Sequence, residues 1–572
     1  MRETDTTVAA ATRPEEDGAA GRHWWRDAVV YQVYIRSFAD ANGDGIGDIA
    51  GVRERLPYLA ELGVDALWFN PWYPSPLADA GYDITDYRSI DPAFGTLWEA
   101  EQLIAEARAL GIRTIVDIVP NHVSNEHPWF QRALSASPGS APRRRFWFRP
   151  GCGEFGELPP NGWQSIFGGP AWTRVADGEW YLHLFAPEQP DLNWERPEVR
   201  LEFEEILRFW FDRGVAGVRI DSAALLVKDP DLAEELPAPA PGEHPFTDRD
   251  ELHEIYRGWR AIADGYAEPR MLVGEVWLPD AERFARYLRP DELHTAFNFD
   301  FLACPWEPGP MRDSIRSALA AHAPVDAPAT WVLSNHDVTR PVTRYGRADT
   351  SFAFETKRNG TPTDLARGAR RARAAALLAM ALPGSMYIYQ GEELGLPEVE
   401  DMPADRKQDP MWHRSGGIDP GRDGCRVPLP WSQAEPHYGF SPNPEVQLWL
   451  DQPGDWESLS VAAESDDPES MLSLYRTGLR LRREAAWGAG SDLDWLDYGA
   501  DVIAFTRGES VTCIVNFGSV PVELPPGADV LIRSSGLIEN AVPQDTTVWL
   551  VQTSNQAPSV AEPTAPSVAE PR

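Results

Sequence analysis

The chain has 572 residues, of which 43% are hydrophobic, and a net charge of −36 from 88 acidic and 52 basic side chains. This length exceeds that of one compact core, so two to four domains are expected, and a large barrel can take most of the residues. The acidic surface repels phosphate backbones and anionic lipids, which argues against nucleic acid or a membrane as partner and fits a neutral substrate such as a sugar.

The two ends of the sequence are polar, and we predict both to be disordered. Residues 1–21 lack a basic stretch followed by an apolar one, so no signal peptide is expected there, and residues 554–572 contain the duplicate APSVAEPTAPSVAEP. Without an apolar run of membrane-spanning length, a cytoplasmic protein is the simplest interpretation. The four cysteines lie far apart, which argues against a zinc cluster or a disulfide framework.

Eight apolar runs alternate with helical patterns along the middle of the chain. These runs are not interrupted by polar residues until their carboxyl ends, which is typical of buried parallel strands. The pattern predicts an α/β fold, a (β/α)8 barrel, whose active site forms at the carboxyl ends of the strands. The runs are 29–38, 65–73, 114–122, 217–223, 271–277, 295–302, 330–337 and 385–394.

Two regions depart from this alternation. The connection after the third strand, 123–190, is long and rich in Pro, Gly and Trp, so we predict a small irregular inserted domain. Residues 485–553 carry short alternating runs separated by turn residues, which predicts a C-terminal antiparallel β-sandwich domain. The barrel itself is assigned to 22–122 and 191–484.

Oxygen-bearing residues recur at alternate positions in the segment DANGDGIGD. Asp40, Asn42, Asp44 and Asp48 supply side-chain oxygens, and Ile46 can add its carbonyl. Hard oxygen ligands at this spacing suit Ca²⁺, so we predict a structural calcium site and no organic cofactor. A plain Asx/Gly turn without metal is the alternative.

Three carboxylates stand at the ends of three predicted strands: Asp221, Glu275 and Asp337. Retaining glycoside hydrolysis needs one ionised carboxylate and one protonated carboxyl about 5–5.5 Å apart. Arg219 lies two residues before Asp221 and so shares its face, which favours ionised Asp221. Apolar neighbours around Glu275 are expected to raise its pKa and to keep a proton available.

Five segments in chain order carry a resemblance to a known family: VDIVPNH (116–122), QPDLNW (189–194), GVRID (217–221), GEVW (274–277) and SNHD (334–337). They resemble the signature regions of the α-amylase family, glycoside hydrolase family 13. DAVVYQVYIRSFADANGDGIGDI, YIYQGEELG and GRDGCRVPLPW look more specifically like its α-glucosidase and oligo-1,6-glucosidase branch, and most like actinobacterial α-glucosidases.

This resemblance implies a role for each matching residue and a small α-glucoside as substrate. Asp221 would be the nucleophile, Glu275 the acid/base and Asp337 the transition-state stabiliser. The implied glucose contacts come from Asp79, Tyr82, His122, Gln189, Arg219, His336 and Arg422, with Asp79 and Arg422 closing the pocket so that cleavage is exo-acting. Asp40, Asn42, Asp44, Ile46 and Asp48 match the calcium loop of the branch.

The residue after the nucleophile is Ser222, and in this branch a small or hydroxylated residue there accompanies α-1,4 rather than α-1,6 cleavage. The sequence also allows a transglucosylase or a sucrose or maltose isomerase on the same scaffold, because the first half-reaction is identical. A non-catalytic relative is disfavoured since all three carboxylates are present, and a nuclease is disfavoured since neither a basic patch nor a phosphate loop is seen. The sequence does not determine the oligomeric state.

Overall fold

The computed structural model describes residues 19–233, 240, 242–354, 356–485, 493–508 and 511–552. The predicted disordered tail, 554–572, lies outside these residues, as do residues 1–18. The remainder of the N-terminal segment begins a 3-10 helix, Ala19–Arg26. None of the described helices is long and apolar enough to cross a bilayer.

Eight parallel strands form the central sheet, and they begin within one residue of the predicted positions. Almost every residue in them is buried, which is why their sequences lack polar alternation. The strands are β1 (Val29–Val33), β2 (Ala66–Phe69), β3 (Arg113–Ile118), β4 (Gly217–Ile220), β5 (Met271–Gly274), β6 (Thr295–Ala296), β7 (Thr330–Val332) and β8 (Ser385–Tyr389).

The order of these strands is β7-β8-β1-β2-β3-β4-β5-β6. The side-chain hydroxyls of Thr295 and Thr330 hydrogen-bond across the seam between β6 and β7, so the sheet is a nearly closed barrel. The strands end several residues before the apolar runs do, and the polar residues that follow lie in loops at the carboxyl rim. The predicted (β/α)8 barrel is confirmed.

Helices separate the strands along the chain. Local sequence signals determine both ends of the helix Leu97–Ala109. Thr96 and Glu99 form a capping box at its start, and Gly111 adopts φ 75° just after its end. The α-helices are Ile49–Glu54, Leu56–Leu62, Leu97–Ala109, Pro128–Ser135, Ala141–Arg144, Pro197–Asp212, Leu252–Asp264, Ala281–Arg286, Phe299–Ala303, Pro308–His322, Pro341–Gly346, Leu365–Ala381, Pro410–Arg414, Val461–Ser465 and Met471–Glu484. Further 3-10 helices are Ile35–Ser37, Ala323–Val325, Asp423–Cys425, Pro436–Gly439 and Trp456–Leu459.

The segment after β3 contains two short helices and a three-stranded antiparallel sheet in the order Phe148–Pro150, Glu179–Leu182, Trp172–Arg174. Its QPDLNW end returns to the barrel rim, where Asp191 forms a β-bridge with His122. The insertion therefore forms one wall of the barrel mouth.

The predicted C-terminal antiparallel sheet is also confirmed. Its five strands run in the order Asp494–Leu496, Val502–Arg507, Val511–Asn516, Thr546–Gln552, Ala528–Arg533, and a two-stranded sheet, Val522–Glu523 with Ala541–Val542, accompanies it. Thr547 donates a hydrogen bond to the carbonyl of Ala374 in the helix Leu365–Ala381, which docks the sheet on the barrel.

Two helical glycines allow a paired test of this packing. A Cβ on Gly368 would lie 1.9 Å from the Val342 carbonyl oxygen, in the helix that follows the Asp337 loop, whereas a Cβ on Gly258 would meet nothing within 4 Å. We expect Gly368→Ala to destabilise the protein by about 1–3 kcal/mol. Gly258→Ala should stabilise it by about 0.5–1 kcal/mol through helix propensity. Thermal and urea melts measure both, and shifts in the same direction would contradict this packing.

Candidate active site

The three predicted catalytic carboxylates meet at the carboxyl rim of the barrel. Asp221 follows β4, Glu275 follows β5 and Asp337 follows β7. Their side chains are 11%, 13% and 14% exposed, so each is largely buried and still reachable from the barrel mouth. The sheet therefore brings together residues separated by up to 116 positions in the chain.

Arg219 lies at the centre of the site and is 1% exposed. Its Nη1 donates to Asp221 Oδ1 at 2.7 Å and to Asp117 Oδ1 at 3.0 Å, while its Nη2 lies 2.7 Å from Glu275 Oε2. Asp117 faces Arg219 directly in the register of β3 and β4. One guanidinium thus holds carboxyl groups from three neighbouring strands side by side.

Burial governs the protonation of these carboxyl groups. It raises the pKa of Asp221 to about 6 and that of Glu275 to about 7, and Arg219 opposes both shifts. The sequence alone suggested that Arg219 would dominate at Asp221, but desolvation outweighs the cation. The two groups titrate as a coupled pair in which Glu275 holds the proton more strongly.

Ser222 connects the two carboxyl groups through its backbone N–H and its side-chain hydroxyl. Its φ is 48°, an uncommon value for a residue other than glycine, and in this conformation its N–H donates to Glu275 Oε2 at 3.0 Å. Its hydroxyl donates to Asp221 Oδ2 at 2.8 Å. The turn after β4 therefore orients both groups at once.

Asp337 belongs to a second charge cluster. Its Oδ1 accepts from Arg426 Nη2 at 2.9 Å and from Arg422 Nη1 at 3.2 Å. Burial alone would raise the pKa of Asp337, but His336 and these two guanidinium groups outweigh it and hold the pKa below its ordinary value. Asp337 therefore stays ionised where Glu275 can be protonated.

Tyr82 and His336 join the two clusters. Their rings stack with centroids 5.4 Å apart and an interplanar angle of 7°, and the Tyr82 hydroxyl lies 2.8 Å from His336 Nε2. The same hydroxyl donates to Asp117 Oδ2 at 3.0 Å. Gln32 Nε2 lies 2.7 Å from His336 Nδ1, which fixes the far side of the ring.

The remaining predicted sugar contacts lie together at one side of the mouth. Arg422 Nη2 donates to Asp79 Oδ1 at 2.7 Å, and Gln189 Nε2 donates to Asp79 Oδ2 at 3.1 Å. His122 Nε2 lies 2.9 Å from Gln189 Nε2 and 3.1 Å from the Tyr82 carbonyl oxygen. All ten predicted catalytic and sugar-binding residues are thus brought into one connected network, and their individual roles stay predictions.

The predicted calcium ligands lie away from this network, in the loop after β1. Asp40 accepts from the N–H groups of Gly43 and Gly45, and Asp48 accepts from those of Ala41 and Asn42. Asn42 and Asp44 are exposed, and each accepts from the backbone N–H two residues on. Among the described residues, no group of three or more His, Cys, Asp or Glu side chains is arranged to hold a metal ion. The calcium site, with Ile46 as its carbonyl donor, stays a prediction.

Several residues in the network were not among the predicted site residues, although Asp117 is one of the polar residues at the predicted strand ends. Asp117, Arg426 and Asp409 complete the two charge clusters, and Asp409 Oδ2 accepts from Arg422 Nε at 2.6 Å. Trp277 donates from Nε1 to Glu275 Oε1 at 3.1 Å and stacks on Phe299 with centroids 3.7 Å apart. Asp117 lies within VDIVPNH, one residue before the end of β3, so its register opposite Arg219 was the signal for its role.

Comparisons with known proteins agree with this arrangement. The family described as "Alpha amylase, catalytic domain" matches residues 32–489. The chain is 35% identical over 550 residues to a probable alpha-glucosidase of Rhizobium meliloti, covering 91% of this chain and 93% of the relative. It is 34% identical to an oligo-1,6-glucosidase of Parageobacillus thermoglucosidasius, covering 81% and 84%. The solved alpha-glucosyl transfer enzyme XgtA has a TM-score of 0.81 at 32% identity, covering 93% of this chain and 99% of that one.

Removing the central cation should make stability strongly pH-dependent. In Arg219→Met three buried carboxyl groups lose their counter-charge, so their folded-state pKa values rise further above the unfolded ones. Stability is then retained at low pH and lost as pH rises through the raised pKa values. We expect a loss of about 3–5 kcal/mol at pH 8 and a smaller loss at pH 5, measured by melts at both.

Arg143→Met is the matched control, because Arg143 is buried as well, at 2% exposed, and bridges two carboxylates, Asp177 and Glu179, in the inserted segment. Those carboxylates are more exposed, so they can be hydrated when the cation is removed. An equal pH dependence in the two variants would contradict the assignment of Arg219.

Proposed function

The chain belongs to the α-amylase family, and on that premise we propose that it is a retaining, exo-acting α-glucosidase. It removes glucose from the non-reducing end of short α-glucosides and prefers maltose-type α-1,4 bonds. The observation that carries the proposal is the contact of one guanidinium, Arg219, with both Asp221 and Glu275. This contact places an ionisable nucleophile beside an acid of higher pKa at the barrel mouth.

The reaction then follows from the two carboxyl groups. Asp221 attacks the anomeric carbon and forms a glucosyl ester, while Glu275 donates its proton to the departing glycosidic oxygen. Glu275, now ionised, takes a proton from water, the water oxygen attacks the anomeric carbon, and the Asp221 carboxylate leaves. Two inversions return the α-anomer. Asp337, held ionised by Arg422 and Arg426, is placed to bind sugar hydroxyls as positive charge develops on the ring.

Exo-acting cleavage is supported by the contact of Asp79 with Arg422. The two side chains are 6% and 7% exposed and bond at 2.7 Å, with the Phe167 ring 5.5 Å from the guanidinium. A pocket closed at this side accepts one terminal glucose rather than a continuing chain. Ser222, beside the nucleophile, supports the α-1,4 preference.

A transglucosylase or sugar isomerase is the second candidate. Trp277 is 40% exposed beside Glu275 and its ring is backed by Phe299, so it offers an apolar face on which an acceptor sugar can stack. The similar structure of XgtA is described as that of an alpha-glucosyl transfer enzyme. Both functions share the glucosyl-enzyme and differ in what captures it.

A structural Ca²⁺ in the Asp40–Asp48 loop is also part of the proposal. The loop offers oxygen donors alone, which suits a hard cation, and a carboxylate oxygen that accepts one N–H retains a lone pair. Asp40, Asn42, Asp44, the Ile46 carbonyl and Asp48 would hold the ion. It would brace the loop after β1 and take no part in the reaction.

Product analysis separates the two candidate functions. With maltose, isomaltose, sucrose and trehalose at low and high concentration, we expect early α-glucose from maltose and little glucose from isomaltose. New disaccharides or trisaccharides in excess of free glucose would favour the transglucosylase. Early β-glucose would rule out a retaining mechanism.

Azide rescue tests the roles of the two carboxyl groups separately. Asp221→Ala and Glu275→Ala should each lower kcat on maltose by at least about 10³-fold, because the reacting group is lost. With p-nitrophenyl α-glucoside and azide, Asp221→Ala should yield the β-glucosyl azide by single displacement. Glu275→Ala should yield the α-glucosyl azide through the glucosyl-enzyme. The reverse pattern would exchange the two assignments.

Chelation tests the proposed ion. We expect the chelator to lower the melting temperature of the wild-type protein by a few degrees, since an ion that binds only the folded state stabilises it. Asp44→Asn keeps the acceptor for the Ile46 N–H but removes a charge, so it should abolish this sensitivity. Asp86→Asn is the control, because Asp86 is also exposed and accepts from the N–H two residues on. A wild-type melting temperature indifferent to chelator would contradict the site.

A further inference from the structure

Lys228 is a buried cation that the reaction does not use. It lies in the loop after β4, seven residues beyond Asp221, and its side chain is 0% exposed. Its ammonium contacts Asn121 Oδ1 at 2.5 Å, the Leu225 carbonyl oxygen at 2.6 Å and Asp191 Oδ2 at 2.8 Å. An ammonium group has three N–H donors and no acceptor, so these three contacts use all of its hydrogen-bond donors. A buried charge is tolerated when it is paired and fully hydrogen-bonded in this way.

The position of Lys228 determines the orientation of Asn121. Lys228 can only donate, so the side-chain oxygen of Asn121 must face it and the amide nitrogen must point away. That nitrogen lies 3.1 Å from His122 Nδ1 and 3.2 Å from Asp191 Oδ2. Asn121 is 0% exposed and Asp191 is 0% exposed, so water cannot replace these partners easily. The amide therefore presents an N–H to the histidine ring.

This N–H determines which nitrogen of His122 carries a proton. A nitrogen that accepts a hydrogen bond is unprotonated, so the neutral ring must carry its proton on Nε2. Burial lowers the pKa of His122 to about 4, which keeps the ring neutral at neutral pH. The Tyr82 carbonyl oxygen, 3.1 Å from Nε2, accepts that proton. Gln189 Nε2, 2.9 Å from the same ring nitrogen, would by itself favour an unprotonated Nε2, but it donates to Asp79 Oδ2.

We propose that Lys228 is a positioning residue: acting through Asn121, it holds His122 in the form with the proton on Nε2 and so fixes the hydrogen-bonding state of a ring that the proposed function assigns to the glucose pocket. This inference rests on the proposed function for the part in which His122 contacts the sugar. The tautomer itself is inferred from the contacts of His122 with Asn121 and Tyr82, independently of the proposed function. If Lys228 only anchored the inserted segment through Asp191, its loss would act on stability and not through His122.

A double-mutant cycle measures whether Lys228 acts through His122. With p-nitrophenyl α-glucoside, we expect Lys228→Met to lower kcat/KM by about 10- to 100-fold through misplacement of a sugar contact. In the His122→Ala background the same substitution should change kcat/KM by less than about twofold, because its target is already gone. Equal losses in the two backgrounds would overturn the proposal. Arg143→Met, which removes a buried cation of the inserted segment, should leave kcat/KM of the folded enzyme within about twofold of wild type.

Nitrogen NMR of the full-length protein labelled with ¹⁵N-histidine tests the tautomer without any activity. The His122 signals are assigned by their absence in His122→Ala. We expect a protonated Nε2 and an unprotonated Nδ1 in the wild type and in Arg143→Met, and a mixture of tautomers in Lys228→Met. A wild-type ring protonated on Nδ1, or an unchanged single tautomer in Lys228→Met, would overturn the proposal.

Asn121→Asp provides a second variant should Lys228→Met fail to fold. It keeps an oxygen for Lys228 and places another oxygen against His122 Nδ1, so we expect a proton on Nδ1. An Nδ1 that stays unprotonated in this variant would contradict the proposed chain of contacts. If the wild type releases no glucose from any α-glucoside, the proposed function fails, while the NMR result still decides the tautomer.

Discussion

The site depends on the ion pairs of Arg219, a single buried guanidinium that faces Asp117, Asp221 and Glu275. Each of these carboxyl groups comes from a different strand end, so Arg219 also ties β3, β4 and β5 together at the rim. Three carboxyl groups share one positive charge, so one of them can bind a proton without leaving the arginine unpaired. Burial is the main reason that the pKa values of Asp221 and Glu275 are raised, and repulsion from neighbouring carboxylates adds to it.

The second charge cluster has more cations for each carboxylate. Arg422 and Arg426 face Asp79, Asp337 and Asp409, so two cations serve three carboxylates. The pKa of Asp409 is lowered, as is that of Asp337: burial would raise both, but the arginines outweigh it. The stacked pair of Tyr82 and His336 lies between the clusters. The site therefore has two sides. Carboxyl groups around Arg219 can hold a proton near neutral pH, whereas those around Arg422 and Arg426 stay ionised because more arginines face them.

The sequence predicted the strands closely because a strand buried on both faces leaves a strong apolar signal. It also predicted which charged residues gather at the rim, since a parallel barrel collects all its carboxyl ends there. The partners of those residues were harder to predict. Arg426 and Asp409 come from the long connection after β8, which carries no periodic pattern, and Lys228 reads as an ordinary loop residue until the fold encloses it. The Asp40–Asp48 loop shows a related limit, because the same side-chain oxygens can close a turn or bind an ion.

The choice between water and a sugar as the final acceptor depends on a different part of the molecule. The side of the pocket that the proposed function assigns to the glucose is lined by Asp79, Gln189 and Arg422, which are almost wholly buried. The side that it assigns to the leaving group or acceptor presents Trp277, which is partly exposed. A relative that transfers glucose and one that hydrolyses can therefore share the first side completely. In the proposed mechanism the covalent step takes place on the first side, so both kinds of relative would form the same glucosyl-enzyme. Under that proposal, the fate of this intermediate depends on whether an acceptor sugar or water reaches it past Trp277.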